Sequence, residues 1–508
     1  MEQQMYDYRG NPITPKGGSG VGDLPISKKT VPAGSDAIEV RDDDKNLVMR
    51  VDKYGLRVLS ITDLEGNPIA GGGGSGGSGS GGGDATIITQ SIKLQIPDTV
   101  YAVVGTELNI WNDCVSKSID RGLQSPINYY VEWTCNKGKV TSRGFRFTPA
   151  QGDVGRHTCT CYLYDTWGTL LDSKQFHIVV SPKNASIQKN ILFVSDSTGT
   201  NTYNNIIANF NDEARFSGVK PNVYNESTGG WHWGLYASAG VVYQRVQVSG
   251  VGALTVGARY IDGNNNIFSI LEVNVTNGTG NVLIGKIYIP PYGYNALQIP
   301  NGALTMQGSY AGDTTFSYTD GVNEAGNPFW NTAGDCLDIA LYRNNRGIAA
   351  KFDMVVFQLG INSSDQINTS GKIEGYIEAL YDAFIADNPS CLFVLGCTPQ
   401  SANDHSAIGV NYGAASQNWG IKYANNEYKI RDLYLTWGKN GVHPNMRVVA
   451  EHLSIDRYYG YPRTQEAVSD RDTTDVIDKH TNYVHPVSSG YKQLADHIFG
   501  FIVGTFNN

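Results

Sequence analysis

The 508-residue chain has no uninterrupted apolar run approaching 18 residues, which excludes a membrane-spanning helix. Its first residues, MEQQMYDYRGNP, hold neither a basic segment nor an apolar one, so no secretory signal peptide is expected. Charge is scarce: Asp, Glu, Lys and Arg make up 17%, where about 25% is usual. The 39 basic residues are outnumbered by 48 acidic ones, and a formal charge of -9 argues against nucleic acid as a partner. Cysteine is sparse, with seven residues (114, 135, 159, 161, 336, 391 and 397), too dilute for a disulfide scaffold. No paired Cys-x-x-Cys or His-rich neighbourhood supports a metal site, and nothing calls for a cofactor. Heptad repeats are also missing. What is plentiful is Gly (59 residues) and Tyr (30), in a chain whose 40% apolar content can build cores and whose length suggests about three domains.

The sharpest boundary is residues 71–83, GGGGSGGSGSGGG, a flexible coil spanning about 20 Å end to end. With residue 84 it forms a linker, 71–84. Ahead of it, residues 1–70 hold only short alternating pieces such as Ala37–Val40, Leu47–Val51 and Leu56–Leu59, separated by Asn, Asp and Gly turn signals. So small a β segment makes a marginal core alone, so attachment or oligomerisation is the expected role. Residues 85–182 read as five- to seven-residue strands with turns every 8–12 residues, the pattern of an immunoglobulin-like β-sandwich. Cys135 could bridge to Cys159 or Cys161 there, but buried free thiols are the favoured expectation. The sandwich is expected to space or present the domain that follows.

From 188 the pattern turns α/β. Lys189–Asp196, Met354–Leu359 and Cys391–Cys397 are apolar runs without alternation, as expected of parallel strands buried on both faces. Lys372–Ala386 and Tyr491–Val503 space their apolar residues like helices, so βαβ units in a doubly wound sheet are expected across 188–508. Residues 240–320 return to β character and read as an inserted β subdomain.

Candidate chemistry collects where these strands end. Ser197, in Phe193-Val-Ser-Asp-Ser-Thr-Gly-Thr200, follows a buried strand and so falls at the carboxyl edge of the sheet, where α/β proteins place their sites. Gly360-Ile361-Asn362 follows the strand that ends at Leu359, which brings an Asn amide to the same edge. Glu226–Trp233 contains a Gly229-Gly230 turn able to offer a backbone N–H. Asn482-Tyr483-Val484-His485-Pro486 precedes Gly490-Tyr491 and a final amphipathic segment. His443 repeats the Val-His-Pro string without that helix, and it reads as structural, as do His232, His405 and His480. Trp231, Trp233 and Trp330 could form a sugar-stacking wall, with core packing an equal alternative.

In this order and spacing the four pieces resemble the SGNH/GDSL hydrolase (esterase) family, whose blocks are Gly-Asp-Ser, a glycine, Gly-x-Asn and Asp-x-x-His before a terminal helix. Asn327–Asn331 with Asp338-Ile339-Ala340 also resembles a segment found ahead of the third block. The resemblance implies a serine esterase: Ser197 as nucleophile, His485 as general base, and an oxyanion held by the N–H groups of Ser197 and Gly230 (or Gly229) and by Asn362. Two positions depart from it. Ser195 stands where the first block has Gly, and Asn482 stands where the last block has its acid. Asp478 or Asp475 could supply the missing carboxylate.

Together these features lead us to expect a virion-associated protein, similar to a phage tail fibre, that removes acyl groups, most plausibly acetyl, from host-surface glycans. Its expected partners are an acylated polysaccharide, other virion proteins through the N-terminal segment, and further copies of itself, a trimer among the options. A glycan-binding adhesin with a degenerate hydrolase domain, and a bacterial carbohydrate esterase, are the alternatives.

Overall fold

A computed structural model describes three strands between residues 37 and 58 and most of residues 93–508; the principal gaps are 117–128, 249–258, 289–303 and 309–315. The Gly/Ser run at 71–83 and the sequence ahead of Ala37 lie outside the described residues. The chain divides into two units, Met1–Gln90 and Ser91–Asn508. In the first, β1 (Ala37–Arg41), β2 (Leu47–Asp52) and β3 (Gly55–Val58) form an antiparallel meander.

The second unit opens with seven strands in two sheets. One is ordered β4-β10-β9-β6 (Thr99–Val103, Leu170–Ser181, Gly155–Asp165, Tyr129–Cys135) and the other β5-β8-β7 (Leu108–Trp111, Gly144–Phe147, Lys139–Thr141). Strand β9 shows why they face each other. Cys159, Cys161 and Leu163 point inward, alternating with more exposed Thr and Tyr residues. Cys159 and Cys161 meet Trp133, Phe145 and Phe176 in one core. Directly opposed Cys135 and Cys159 are joined by a disulfide, which corrects the expectation of free thiols at this pair; Cys161 remains a buried thiol.

Next come β11 (Asn190–Ser195), α1 (Gly199–Asn211), β12 (Asn222–Ser227) and the single turn α2 (Trp233–Tyr236). A closed six-stranded barrel is inserted at this point. Its strands β13–β18 run from Val242 to Ala325 and are ordered β13-β16-β15-β14-β17-β18. Asn327 closes its base, donating through Nδ2 to the carbonyls of Tyr236 (2.7 Å) and Ser238 (2.6 Å), so the chain leaves and re-enters the α/β domain at one point.

After the short hairpin β19–β20 (Trp330–Asn331, Cys336–Leu337) come α3 (Ile339–Asn345), β21 (Met354–Gln358), α4 (Lys372–Asp387), β22 (Leu392–Gly396), α5 (Ala407–Tyr412), α6 (Gln417–Lys439) and β23 (Met446–Val449). An antiparallel hairpin β24–β25 (Arg463–Ser469, Asp472–His480) and α7 (Ser488–Asn507) complete the chain. The parallel sheet is ordered β12-β11-β21-β22-β23, and β21 is buried along its whole length. From β11 the chain first builds outward to β12, then returns to add β21, β22 and β23 on the other side. The strand order therefore reverses between β11 and β21, and the crevice at such a switch point is where open α/β sheets place ligands.

The sandwich shares a core with the α/β domain, within one compact unit. Val103 of β4 joins the core formed by β11, β21 and α7, and the glycines of α7 let Tyr101 pack against it. Trp111 and Cys114 share a cluster with Ile361, Tyr461, Tyr483 and Val484. Buried hydrogen bonds cross the same boundary, from Trp111 Nε1 to the Ser454 carbonyl (2.7 Å), from Gln400 Nε2 to the Cys114 carbonyl (3.1 Å) and from Arg431 Nε to Gln95 Oε1 (3.2 Å).

Candidate functional site

Strand β11 delivers Ser195 and Asp196 into the interior and then Ser197 to the surface, where it is exposed. Asp196 shapes the turn, because its Oδ1 accepts from both the N–H and the hydroxyl of Thr198 at 2.9 Å. Burial pushes the Asp196 carboxyl up to about 6. Gly199 must be glycine at the start of α1, since a Cβ there would stand 2.2 Å from Ser195 Cβ.

His485 reaches this turn from the far end of the sequence, and its Nε2 lies 2.9 Å from Ser197 Oγ. The loop holding it is fixed by buried Tyr483 and Val484 below and by α7 after it. Burial holds the imidazole below its ordinary value near 6.5. It is therefore neutral near pH 7, so Nε2 can accept the Ser197 hydroxyl proton.

The glycine turn lies against β11. Thr228 N–H donates to the Ser195 carbonyl (3.0 Å), and Trp231 N–H closes the turn on the Thr228 carbonyl (3.2 Å). Gly230 has φ +76, a left-handed conformation that favours glycine. A Cβ on Gly229 would be 3.8 Å from Ser197 Cβ, so both glycines border the nucleophile turn. Asn362, in the short turn after β21, donates through Nδ2 to the Trp231 carbonyl at 3.1 Å, and its second amide hydrogen has no partner among the described residues. Four segments widely separated in sequence thus meet at the switch point: Ser197, Gly229-Gly230, Asn362 and His485.

Other candidates lie elsewhere. Asn482 does not orient the imidazole; its Oδ1 accepts from the backbone N–H groups of Val484 (3.0 Å) and His485 (2.8 Å), holding the loop and not the ring. Asp478 is ion-paired with Arg463 and accepts from the Tyr458 hydroxyl, on the hairpin β24–β25. Asp475 is exposed on β25 of that hairpin. Among the described residues, no carboxylate pairs with His485, and the arrangement is a Ser–His pair. Neither of the first two tryptophans can form a sugar wall, because Trp231 and Trp233 are 4% and 0% exposed. Trp233 packs on Phe357 and donates to the Tyr434 hydroxyl. Trp330 is half-buried in the β19–β20 hairpin.

The other candidate histidines have structural environments. His443 packs between the rings of Tyr381 and Trp437, His405 meets the Tyr483 hydroxyl at 2.9 Å, and His480 Nε2 meets the Tyr458 carbonyl at 2.9 Å. His232 Nδ1 is held by Gln366 at 2.7 Å. No group of His, Cys, Asp and Glu residues suited to a metal ion occurs among the described residues.

No family model and no curated protein matches this chain. Among solved structures, a peptidoglycan O-acetylesterase is 12% identical over 61% of this chain and 89% of its own, with a TM-score of 0.21. A mixed-linkage glucan utilisation protein from Bacteroides ovatus, SGBP-B, solved with a mixed-linkage heptasaccharide, is 13% identical. That match covers 46% of this chain and 44% of the other, less than half its length, with a TM-score of 0.13. The D00–D0 domain of intimin is 12% identical over 46% of this chain and 98% of its own, with a TM-score of 0.14. Scores this low carry no argument about the site, which rests on its own geometry.

Proposed function

We propose that the chain is a serine esterase of the SGNH/GDSL type that removes small acyl groups, acetyl foremost, from glycans. The observation that carries this reading is the 2.9 Å contact between exposed Ser197 and a neutral His485, flanked by a glycine turn and an Asn amide. Ser197 Oγ attacks the ester carbonyl while His485 Nε2 takes its proton. The carbonyl oxygen becomes an oxyanion that the N–H groups of Ser197 and Gly230 and the free hydrogen of Asn362 Nδ2 stabilise, each such donor contributing about 10²–10³ in rate. His485 then passes the proton to the departing sugar hydroxyl. Water attacks the acyl-enzyme by the same route in reverse.

Among the described residues no carboxylate backs His485, so the imidazolium formed at the transition state has no counter-charge from them. In the serine-protease triad, replacing the acid by Asn costs about 10⁴ in rate, so turnover here is expected to be modest. The same observation favours the second reading, an adhesin that binds glycan through a weakened hydrolase domain. A nucleophile exposed at the surface suits an ester displayed on a polymer.

The setting we propose is a virion appendage in which the N-terminal unit attaches to other virion proteins and to further copies of this chain. Detection of the protein in purified particles, and its copy number there, tests this part separately.

Wild type and Ser197→Ala are to be compared on p-nitrophenyl acetate and on an O-acetylated polysaccharide. We expect activity in the wild type and a loss of at least about 10²-fold in the variant. An inactive wild type that still binds the polysaccharide would leave the adhesin.

A further inference from the structure

Beneath the Ser197 turn lies a polar chain that the esterase mechanism does not use. Ser195 Oγ donates to the backbone carbonyl of Gln358 (3.0 Å) and to its side-chain Oε1 (3.1 Å). Gln358 Nε2 donates in turn to Glu451 Oε2 at 2.7 Å. All three residues are buried, at 0%, 1% and 0% exposure, and Glu451 Oε1 has no partner among the described residues. These residues belong to different strands: Ser195 and Gln358 are opposed at the ends of β11 and β21, while Glu451 begins the short turn after β23. Between them runs β22, and Gly396 at its end makes the crossing possible. A Cβ there would stand 2.7 Å from Glu451 Oε1 and 3.3 Å from Gln358 Cα.

Isolated buried carboxylates are expensive, and such a group neutralises instead. Among the described residues, the groups facing Glu451 include the Gln358 amide, the Asp196 carboxyl, the Cys397 thiol and the Tyr434 phenol, none of these a cation. Burial accordingly pushes the Glu451 carboxyl well above its ordinary range. The chain also accounts for Ser195 at the position where the resemblance has glycine: its hydroxyl is the first link. Ser195 lies two residues before Ser197, and Gln358 lies four before Asn362, so the chain joins the roots of the two turns that meet at the site.

We propose that Glu451 is a positioning residue for the Ser197 site, acting through Gln358 and Ser195 to set the separation between the nucleophile turn and the Asn362 turn. This rests on the esterase reading for its effect on rate, so the test has two independent arms. The first measures p-nitrophenyl acetate hydrolysis per active site titrated with a fluorophosphonate, for Glu451→Ala, Gln358→Leu, the double variant and Glu451→Gln. Each of the first two should lower kcat by about tenfold with KM within about twofold, and the double variant should lose no more than either alone. Glu451→Gln keeps a neutral acceptor for Gln358 and should stay within about threefold of wild type. Unchanged kcat per titrated site in Glu451→Ala, or additive losses in the double variant, would overturn the proposal.

The second arm needs no activity. Amide hydrogen exchange in peptides spanning Ser195–Gly199 and Gly360–Ser363 should quicken in Glu451→Ala and Gln358→Leu and return to wild-type rates in Glu451→Gln. Exchange unchanged in both turns overturns the positioning role whether or not the chain is an esterase. Wild type that neither hydrolyses the ester nor takes the label, with exchange behaving as stated, overturns the esterase reading alone.

Discussion

At the scale of single residues, the site depends on protonation states set by burial. His485 must be neutral to accept the Ser197 proton, so kcat/KM should rise with pH as the imidazole loses its proton. Burial lowers that point, which places the acid limb of the profile below the ordinary imidazole value of about 6.5. Asp196, pushed up to about 6, ionises nearby and changes how firmly Thr198 is held. A profile recorded on p-nitrophenyl acetate for wild type and Asp196→Asn separates the two groups: the limb that persists in the variant belongs to His485. A persistent limb above 6.5 would contradict the burial argument. The motif residues at this scale could be read directly from the sequence, because Ser197, Asn362 and His485 each follow a strand end or precede a helix in recognisable strings. The role of Asn482 could not. Its motif position suggested contact with the imidazole, but in the folded chain its Oδ1 is taken by two backbone N–H groups.

Among elements, the loop between β25 and α7 decides where His485 stands. Losing the two side-chain hydrogen bonds of Asn482 costs about 1 kcal/mol each and loosens the loop, so Asn482→Ala should lower kcat several-fold. Asp478→Ala breaks an ion pair with Arg463 out on the hairpin and should leave kcat within about twofold, since a partly exposed pair contributes about 0–1 kcal/mol. A tenfold loss in Asp478→Ala, measured as kcat per titrated site, would mean that this carboxylate reaches His485 during turnover. The elements that could be read best were the apolar parallel strands, whose unbroken hydrophobic runs need cover on both faces. Less visible was Gln358 at the end of β21. A polar residue closing an otherwise apolar strand signals a buried hydrogen-bond partner, but its partners stand far away in sequence, at Ser195 and Glu451.

For the molecule as a whole, Ser91–Asn508 is one unit, and the sandwich belongs to the scaffold of the site. Trp111 and Cys114 lie under Ile361, next to Asn362, and under Tyr483 and Val484, next to His485. A fragment beginning at residue 188 would expose that cluster, and we expect it not to fold. Trp111→Ala should destabilise the full chain by about 3–5 kcal/mol and lower its melting temperature without splitting the transition. Two separate transitions in calorimetry of the 91–508 region would show that sandwich and α/β domain fold independently.

Local patterning by itself determined the strand and helix periods, the alternation that makes the sandwich two-faced, and the strand-end positions of Ser197, Asn362 and His485. These depend on neighbours a few residues away, so they survive in a one-dimensional reading. Tertiary structure alone decided that Cys135 bonds to Cys159, that Trp231 and Trp233 are core, that His485 has no carboxylate behind it among the described residues, and that the sandwich shares a core with the α/β domain. Each of those outcomes depends on which distant segments compete for the same buried volume and the same hydrogen-bonding groups, and that competition exists only once the chain has packed.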